Sequence, residues 1–213
     1  MTTDSLNINE IFYSLQGEAL EVGLPSVFIR LTGCPLRCSY CDTKYAFKGN
    51  NLIAINDIVT EVEKYNTKHV CVTGGEPLAQ KNCNILLDIL ISKDYKVSLE
   101  TSGSIDIDNV DDRVSIVMDI KTPSSGESKQ NKYINIAKLQ TNDQLKFVIG
   151  SRSDFDWSVD ILEKYPTKAE TLFSPVFGDV EPNQLADWIL EEQLYVRMQL
   201  QLHKLLWGDV KGK

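Results

Sequence analysis

The alternation of short β-rich runs with helical stretches is the feature that most constrains the fold of this chain. Runs of β-branched and aromatic residues predict strands, and apolar residues at helical spacing predict the helices between them. The predicted strands cover residues 27–31, 69–73, 97–101, 115–120, 145–149, 171–175 and 195–202, and the predicted helices lie around residues 56–65, 86–91, 155–164 and 182–191. Such alternation requires mainly parallel strands with right-handed crossovers. Six to seven strands are too few for a closed eight-stranded barrel, so we expect an α/β fold, a partial, open β/α barrel.

Polar or glycine-rich turns follow several of these predicted strands. They occupy residues 73–76, 100–103, 119–121 and 174–175. In parallel α/β folds the carboxyl ends of the strands face the ligand. The sequence therefore predicts a functional site along this edge of the sheet.

Length and charge limit the classes of function. At 213 residues, the chain is expected to form one domain, residues 1–213. Its net charge of −8 argues against a general grip on nucleic acid. The first 15 residues lack a basic segment and a long apolar run, and no stretch of about 18 apolar residues follows, so we expect neither a signal peptide nor a membrane span. The five cysteines are odd in number, which favours a reducing cytoplasm over a disulfide framework.

Three of the cysteines form a compact cluster with the spacing C-x3-C-x2-C, and they are Cys34, Cys38 and Cys41. Three thiolates on one short loop can converge on a metal centre. A structural zinc ion needs four protein ligands, whereas three cysteines on a cubane iron–sulfur cluster leave one iron open to a small molecule. The alternatives are a zinc site completed by His69 or a distant residue, or unrelated buried thiols. Cys71 and Cys83 are expected to be packed or surface thiols.

The cysteine loop and a later turn resemble two motifs of one superfamily. With Tyr40 in the aromatic position, the loop is similar to the C-x3-C-x-aromatic-C signature of the radical S-adenosylmethionine (SAM) superfamily. Residues 73–77, Thr-Gly-Gly-Glu-Pro, resemble its GGEP motif, which contacts the methionine amino group. The resemblance implies a [4Fe-4S] cluster whose open iron binds SAM and yields a 5′-deoxyadenosyl radical on reductive cleavage.

Further motifs resemble a single family within that superfamily, the 7-carboxy-7-deazaguanine synthases. They lie at residues 15–18, 25–30, 41–44, 100–103, 119–121, 173–176 and 201–204. The resemblance implies a lyase that converts 6-carboxy-5,6,7,8-tetrahydropterin to 7-carboxy-7-deazaguanine with loss of ammonia, in the biosynthesis of queuosine and related deazapurines. It also implies Mg²⁺ at the substrate carboxylate, a homodimer, and an electron donor such as a flavodoxin or ferredoxin.

The same resemblance assigns roles to individual residues. It implies SAM contacts at Tyr40, Cys41, Asp42, Gly75, Glu76, Thr101, Ser102, Lys121, Phe173, Ser174, Pro175 and Val176. It implies substrate contacts at Leu15, Gln16, Gly17, Glu18, Arg30, Thr73 and His203, and Mg²⁺ binding by Thr43. In some members the C-terminal carboxylate reaches the substrate, a role that we do not assign to Lys213 with its polar, basic tail.

Several of these residues have an alternative interpretation that is structural. Arg30 is the only charge in an apolar strand and needs a partner, either a substrate carboxylate or an internal carboxylate such as Glu18. Thr43 is also suited to capping a loop. For the chain as a whole, the alternatives are a radical SAM activase that makes a glycyl radical on a protein partner, and a zinc-binding interaction module.

Overall fold

A single sheet of nine strands organises the part of the chain that the computed structural model describes, residues 4–208 and 210–212. The strands are β1 (Ser5–Leu15), β2 (Pro25–Leu31), β3 (Leu52–Ala54), β4 (His69–Gly74), β5 (Lys96–Thr101), β6 (Ser115–Ile120), β7 (Gln144–Ile149), β8 (Glu170–Pro175) and β9 (Arg197–Met198). The helices are α1 (Ile55–Val62), α2 (Cys83–Ser92), α3 (Arg152–Lys164), α4 (Pro182–Glu191) and α5 (Leu202–Trp207).

The sheet is largely parallel and does not close on itself. Its order is β3-β1-β2-β4-β5-β6-β7-β8-β9. Every pair from β2 to β9 in this order is parallel, while β1 pairs antiparallel with both β2 and β3. The predicted α/β class and open barrel are confirmed. The predicted number of strands was too low, because β1 and β3 add an antiparallel edge.

The helices cover the sheet with apolar faces at the spacing read from the sequence. In α1, Ile55, Ile58, Val59 and Val62 are buried, which follows the period of 3.6 residues. The first half of the sheet packs on α1 and α2 in one apolar cluster. The second half, with the fully buried Phe147, Phe155 and Phe173, packs on α3 and α4 in another. The two clusters together hold the strands in register.

The predicted strand at residues 195–202 was wrong in its extent. Only Arg197 and Met198 pair with β8. Beyond them, the side chain of Gln199 accepts a hydrogen bond from the Ala19 amide (2.6 Å) and donates one to the Ala19 carbonyl (2.8 Å). The chain then turns into α5 at Leu202. This departure from the sheet brings the C-terminal segment back over the carboxyl ends of the strands.

None of the helices among the described residues is both long and apolar enough to cross a membrane.

Candidate active site

A cavity of about 780 Å³ opens at the carboxyl ends of the parallel strands. Its wall includes residues from the ends of β2, β4, β5 and β6, from the loop after β8, and from the C-terminal residues 201–208 and 210–212. Volumes of this size suit small-molecule sites. The position is the one that the polar strand-end turns predicted.

All three clustered cysteines, Cys34, Cys38 and Cys41, line this cavity. Burial raises the pKa of Cys34 and raises that of Cys38 to about 11, and the neighbouring thiols of the cluster add to both shifts. The thiols therefore lie close enough to interact electrostatically. A thiolate in such a place needs compensating positive charge, which iron would supply.

The arrangement fits a cubane cluster better than a single zinc ion. Among residues 4–208 and 210–212, no three His, Cys, Asp or Glu side chains converge at the spacing of one ion. A cubane binds each cysteine through a different iron and does not require that convergence. Neither Cys71 nor Cys83 lines the cavity, and His69 begins β4 at the opposite end of the sheet. The proposed completion of a zinc site by His69 is therefore wrong.

The two glycines of the Gly-Gly-Glu-Pro turn bring that turn against β2 and the cysteine loop. A Cβ on Gly74 would lie 2.5 Å from the Leu31 carbonyl oxygen, and one on Gly75 would lie 2.1 Å from the Gly33 oxygen. The Glu76 amide donates to the same Gly33 oxygen at 2.8 Å. The glycines thus serve the packing of backbone on backbone, in addition to lining the cavity.

Glu76 does not line the cavity, although its motif predicted a contact with SAM. Its side chain is fully buried. Its carboxylate accepts hydrogen bonds from the Thr101 hydroxyl (2.9 and 3.0 Å), the Ser102 amide (2.7 Å) and the Ser102 hydroxyl (2.5 Å). A buried carboxylate needs several such donors. In this structure Glu76 positions Thr101 and Ser102, which both line the cavity.

A buried ion pair joins Asp119 and Lys121 in the wall. Lys121 Nζ lies 2.9 Å from Asp119 Oδ2, while Asp119 Oδ1 is buried without a hydrogen-bond partner among the described residues. Burial raises the pKa of Asp119, and the charge of Lys121 opposes that shift. Tyr40, whose pKa is raised by burial, lies 3.4 Å from Thr122 through its hydroxyl. Asp119 Oδ1 is thus a buried acceptor without a donor among the described residues, in a residue that lines the cavity.

The predicted SAM contacts are brought together only in part. Eight line the cavity, namely Tyr40, Cys41, Asp42, Gly75, Thr101, Ser102, Lys121 and Val176. Four do not, namely Glu76, Phe173, Ser174 and Pro175. Phe173 packs edge-to-face against Phe147 and Phe155 in the core, and Ser174 and Pro175 are buried beside it. Their position in β8 leaves Val176, the next residue, as the one that reaches the wall.

All seven predicted substrate contacts line the cavity, and Arg30 is the best defined of them. Its Nε lies 2.7 Å from Glu10 Oε1, which also accepts a hydrogen bond from the Tyr45 hydroxyl at 2.8 Å. Its internal partner is thus Glu10, and the suggested pairing with Glu18 is wrong. The charges of Tyr45 and Glu10 raise the pKa of Arg30 against the effect of burial. Within the described chain, its Nη atoms have no hydrogen-bond partner, so they can receive a carboxylate.

Glu18 pairs instead with Lys146, a residue of β7 that sequence reasoning missed. Lys146 is buried and contacts one oxygen of Glu18, while Gln201 donates to the other at 2.6 Å. Nearby, Glu100 accepts a hydrogen bond from the Thr73 hydroxyl (2.7 Å) and one from Gln16 Nε2 (3.4 Å). These carboxylates and amides give the cavity lining a polar wall of donors and acceptors, which the cysteine loop does not provide.

His203 lies on α5, not at the end of a strand as predicted. A Cβ on Gly17 would lie 2.3 Å from His203 Nδ1, so the imidazole packs directly on the Gly17 backbone. Burial lowers the pKa of His203, which favours the neutral ring. The contact seats α5 against the loop that follows β1.

Thr43 and Asp42 lie on the cavity wall beside the cysteines, with Thr43 Oγ1 3.7 Å from Cys41 Sγ. Thr43 immediately precedes a short helical turn, Lys44–Phe47, and its side chain makes no capping hydrogen bond there. Its hydroxyl therefore does not serve the structural role that the alternative interpretation gave it. Lys213 lies outside the described residues.

Residues that the sequence did not single out are Glu10, Tyr45, Glu100, Asp119 and Lys146. Glu100 and Asp119 begin motifs at residues 100–103 and 119–121 that the sequence had marked, so their places in a strand-end turn were a usable signal. Lys146 carried a weaker signal, a single charge inside the apolar run of β7. Glu10 had none, because β1 was not predicted.

Comparison with known proteins places the chain among relatives of one kind. The family model described as the Radical SAM superfamily matches residues 28–189. The 7-carboxy-7-deazaguanine synthase of Chlorobaculum tepidum is 42% identical over 220 residues, which cover 100% of both chains. That of Methanospirillum hungatei is 41% identical and covers 96% of this chain and 86% of its own. The crystal structure of QueE from Escherichia coli superposes with a TM-score of 0.80 at 21% identity, covering 93% of this chain and 95% of the other, and is similar in fold.

Proposed function

The chain belongs to the 7-carboxy-7-deazaguanine synthase family of radical SAM enzymes, and from that premise we propose how its cavity carries out the family reaction. The enzyme converts 6-carboxy-5,6,7,8-tetrahydropterin to 7-carboxy-7-deazaguanine with loss of ammonia. The alternative, an activase that makes a glycyl radical on a protein, is not favoured by these relatives.

The observation that carries the proposal is that one cavity holds two different chemical walls. The thiols of Cys34, Cys38 and Cys41 form one, and Arg30, Gln16 and Glu18 contribute to the other. A glycyl-radical activase has no evident need for this second wall. A pterin needs it, because its guanine-like edge presents donors and acceptors that an amide and a carboxylate match.

The three thiols fit the [4Fe-4S] cluster that the family implies. When bound, the cluster and SAM supply the radical that removes a hydrogen atom from the carbon bearing the substrate carboxylate. The chain provides binding and orientation. Thr101 and Ser102, which line the cavity, offer hydrogen-bonding groups to SAM. Lys121, held by Asp119, presents a positive charge to the SAM carboxylate.

On the substrate side, Arg30 binds the carboxylate through its free Nη edge. Glu10 and Tyr45 hold the other edge of the guanidinium, so that its plane is fixed before the substrate arrives. Pre-organisation of this kind lowers the entropy cost of binding. His203, neutral and packed on Gly17, closes the cavity from the C-terminal side.

We also propose Mg²⁺ binding by the Thr43 hydroxyl. Thr43 lines the cavity next to Asp42, and Mg²⁺ in proteins takes few protein oxygens while keeping several waters and substrate oxygens. Thr43→Ala is expected to remove the Mg²⁺ dependence of turnover while the iron content stays normal. Turnover that responds to magnesium as in the unmodified enzyme would assign the metal elsewhere.

The partners and setting follow from the same proposal. We propose a homodimer, which sedimentation velocity of the full chain tests directly. We propose that a reduced flavodoxin or ferredoxin delivers the electron that starts each cycle. All five cysteines are free thiols, which supports a reducing cytoplasm as the place of action.

The decisive experiment is an anaerobic assay with reconstituted, dithionite-reduced protein, SAM and carboxytetrahydropterin. Mass spectrometry is expected to show 7-carboxy-7-deazaguanine and ammonia in equal amounts, with SAM regenerated rather than consumed. Cleavage of SAM without any deazapurine product would overturn the substrate assignment.

A further inference from the structure

Lys146 is the charged residue of β7, and none of the contacts proposed above for SAM or the pterin uses it. In the same strand, Leu145, Phe147 and Ile149 are fully buried in the apolar cluster around α3 and α4. Because side chains alternate across a strand, Lys146 points to the opposite face of the sheet, where it lines the cavity. A buried lysine needs a partner of opposite charge.

The partner of Lys146 is the Glu18 carboxylate. Lys146 Nζ contacts Glu18 Oε2, and Gln201 Nε2 donates a hydrogen bond to Glu18 Oε1 at 2.6 Å. The side chains of Lys146 and Glu18 are 9% and 14% exposed, so solvent ions screen this pair little. Each carboxylate oxygen has a donor from the protein and keeps a second acceptor position for a ligand.

The same strand holds the loop that carries Glu18 at a second position. The Leu20 amide donates a hydrogen bond to Gln144 Oε1 at 2.8 Å. This neutral contact fixes the path of the backbone, whereas Lys146 brings a cation to the carboxylate itself. A carboxylate that is buried without a cation is costly and takes up a proton instead. The lysine therefore keeps Glu18 ionised, as a group that only accepts hydrogen bonds.

We propose that Lys146 is a positioning residue that makes Glu18 selective for a 2-amino pteridine ring. The inference rests on the proposed function, because it places the guanine-like edge of the pterin on Glu18. On that edge a ring N–H and the 2-amino group are neighbouring donors, which an ionised carboxylate can accept through its two oxygens. A ring with a 2-oxo group presents an acceptor at the same place, and two facing acceptors repel. Lys146 itself makes no bond to the ring and acts through Glu18.

The test is a double-mutant cycle that consists of Lys146→Met, Glu18→Gln and the variant that carries both changes. Anaerobic calorimetry measures Kd for the carboxytetrahydropterin and for its 2-oxo analogue. The protein carries its cluster, SAM and Mg²⁺, and the cluster is left oxidised so that no turnover occurs. The matched control is Lys96→Met, which removes the same charge at the exposed first residue of β5, outside the cavity.

Lys146→Met is expected to weaken binding of the pterin at least about 10-fold and to change binding of the 2-oxo analogue less than about 3-fold. In the Glu18→Gln background, the same substitution is expected to change Kd for the pterin less than about 2-fold, because the carboxylate through which it acts is gone. Lys96→Met is expected to match the unmodified protein. If Lys146→Met does not load its cluster, Lys146→Gln replaces it in the cycle, and the same pattern is expected.

Unchanged binding of the pterin in Lys146→Met would overturn the proposal. An equal loss for the two compounds would do so as well, since it would reflect a general disturbance of the cavity. So would an equal loss in both backgrounds, which would mean that Lys146 contacts the ring directly. Failure of the proposed function is separate, because the unmodified enzyme would then bind the pterin and form no deazapurine after reduction.

Discussion

At the scale of single residues, Cys38 is the most deeply buried of the three clustered thiols. It is the buried member of the cluster, and its pKa is raised to about 11 by burial. Cys38→Ala is expected to reduce iron and sulfide to background after anaerobic reconstitution, because two thiolates cannot retain the cube. Cys83→Ala, which removes a buried thiol away from the cavity, is the control and is expected to keep full iron content. Normal iron in Cys38→Ala would disprove its role as a ligand.

Arg30 permits a second prediction at this scale. Removing a buried guanidinium that binds a carboxylate through two parallel hydrogen bonds costs about 2–5 kcal/mol, so Arg30→Ala is expected to raise KM for the pterin at least about 30-fold. Arg30→Lys is expected to recover little, since an ammonium lacks the planar fork. Steady-state kinetics on these variants, with the exposed Arg113→Ala as control, give the measurement. A KM near that of the unmodified enzyme would remove Arg30 from the site.

The residues that the sequence could not identify depend on contacts between distant positions. Lys146 and Glu18 are 128 residues apart and meet only when β7 and the loop after β1 share one cavity wall. Glu76 lies in a motif, yet the motif did not show that its carboxylate would turn away from the cavity towards Thr101 and Ser102. Residue types and spacing identified the cysteines. The direction in which each side chain points could be established only from the folded structure.

At the scale of elements, the turn after β4 supports the cysteine loop. A Cβ on Gly75 would lie 2.1 Å from the backbone oxygen of Gly33, which cannot move without shifting the loop. Gly75→Ala is therefore expected to destabilise the fold by about 1–3 kcal/mol and to lower cluster occupancy. Gly49→Ala is the matched control, because there the new methyl group meets only the Thr32 side chain at 3.3 Å. Chemical denaturation and iron analysis measure both effects, and a Gly75→Ala protein as stable as the control would contradict the close packing.

The docking of α5 is expected to depend on pH through His203. Burial lowers its pKa from an ordinary 6.5, with Lys204 and Lys146 adding to the shift and Asp42 and Glu100 opposing it. The undocked helix then binds more protons than the docked one, so docking is complete above pH 6.5 and weakens as the pH falls below it. Hydrogen exchange of residues 202–207 is expected to speed up, beyond the intrinsic change, between about pH 7.5 and pH 5.5. His203→Gln is the control. Equal protection of α5 in both proteins across this range would exclude His203 as the cause.

Helices and strands with a clear period of apolar residues could be predicted from the sequence. Elements that depend on pairing with distant segments could not. The buried faces of α1 and α4 and the parallel strands from β2 to β8 could be read from apolar spacing. In β1, only Leu6 and Ile8 are buried along 11 residues, so the strand carries little pattern of its own and depends on pairing with β2 and β3. Residues 195–202 alternate as a strand would, but Gln199 turns to the Ala19 backbone and ends it early.

At the scale of the whole molecule, one continuous sheet carries two apolar clusters. The first packs around α1 and α2, and the second around α3 and α4. Leu78 and Val110 pack against both clusters. Together with the unbroken pairing from β5 to β6, these shared residues lead us to propose that the clusters unfold as one cooperative domain.

The tryptophans make this proposal testable because all three, Trp157, Trp188 and Trp207, lie in the second half of the chain. Trp157 and Trp188 pack against the second cluster and report on it, and Trp207 reports on α5. Far-ultraviolet circular dichroism follows the whole molecule. Leu90→Ala, at a fully buried position of the first cluster, is expected to destabilise the protein by about 2–5 kcal/mol. If the domain is cooperative, this loss of stability shifts the unfolding midpoints measured by fluorescence and by dichroism by the same amount. It does so although no tryptophan belongs to the first cluster. A dichroism curve that shifts while the fluorescence curve stays in place would divide the chain into two units between β5 and β6.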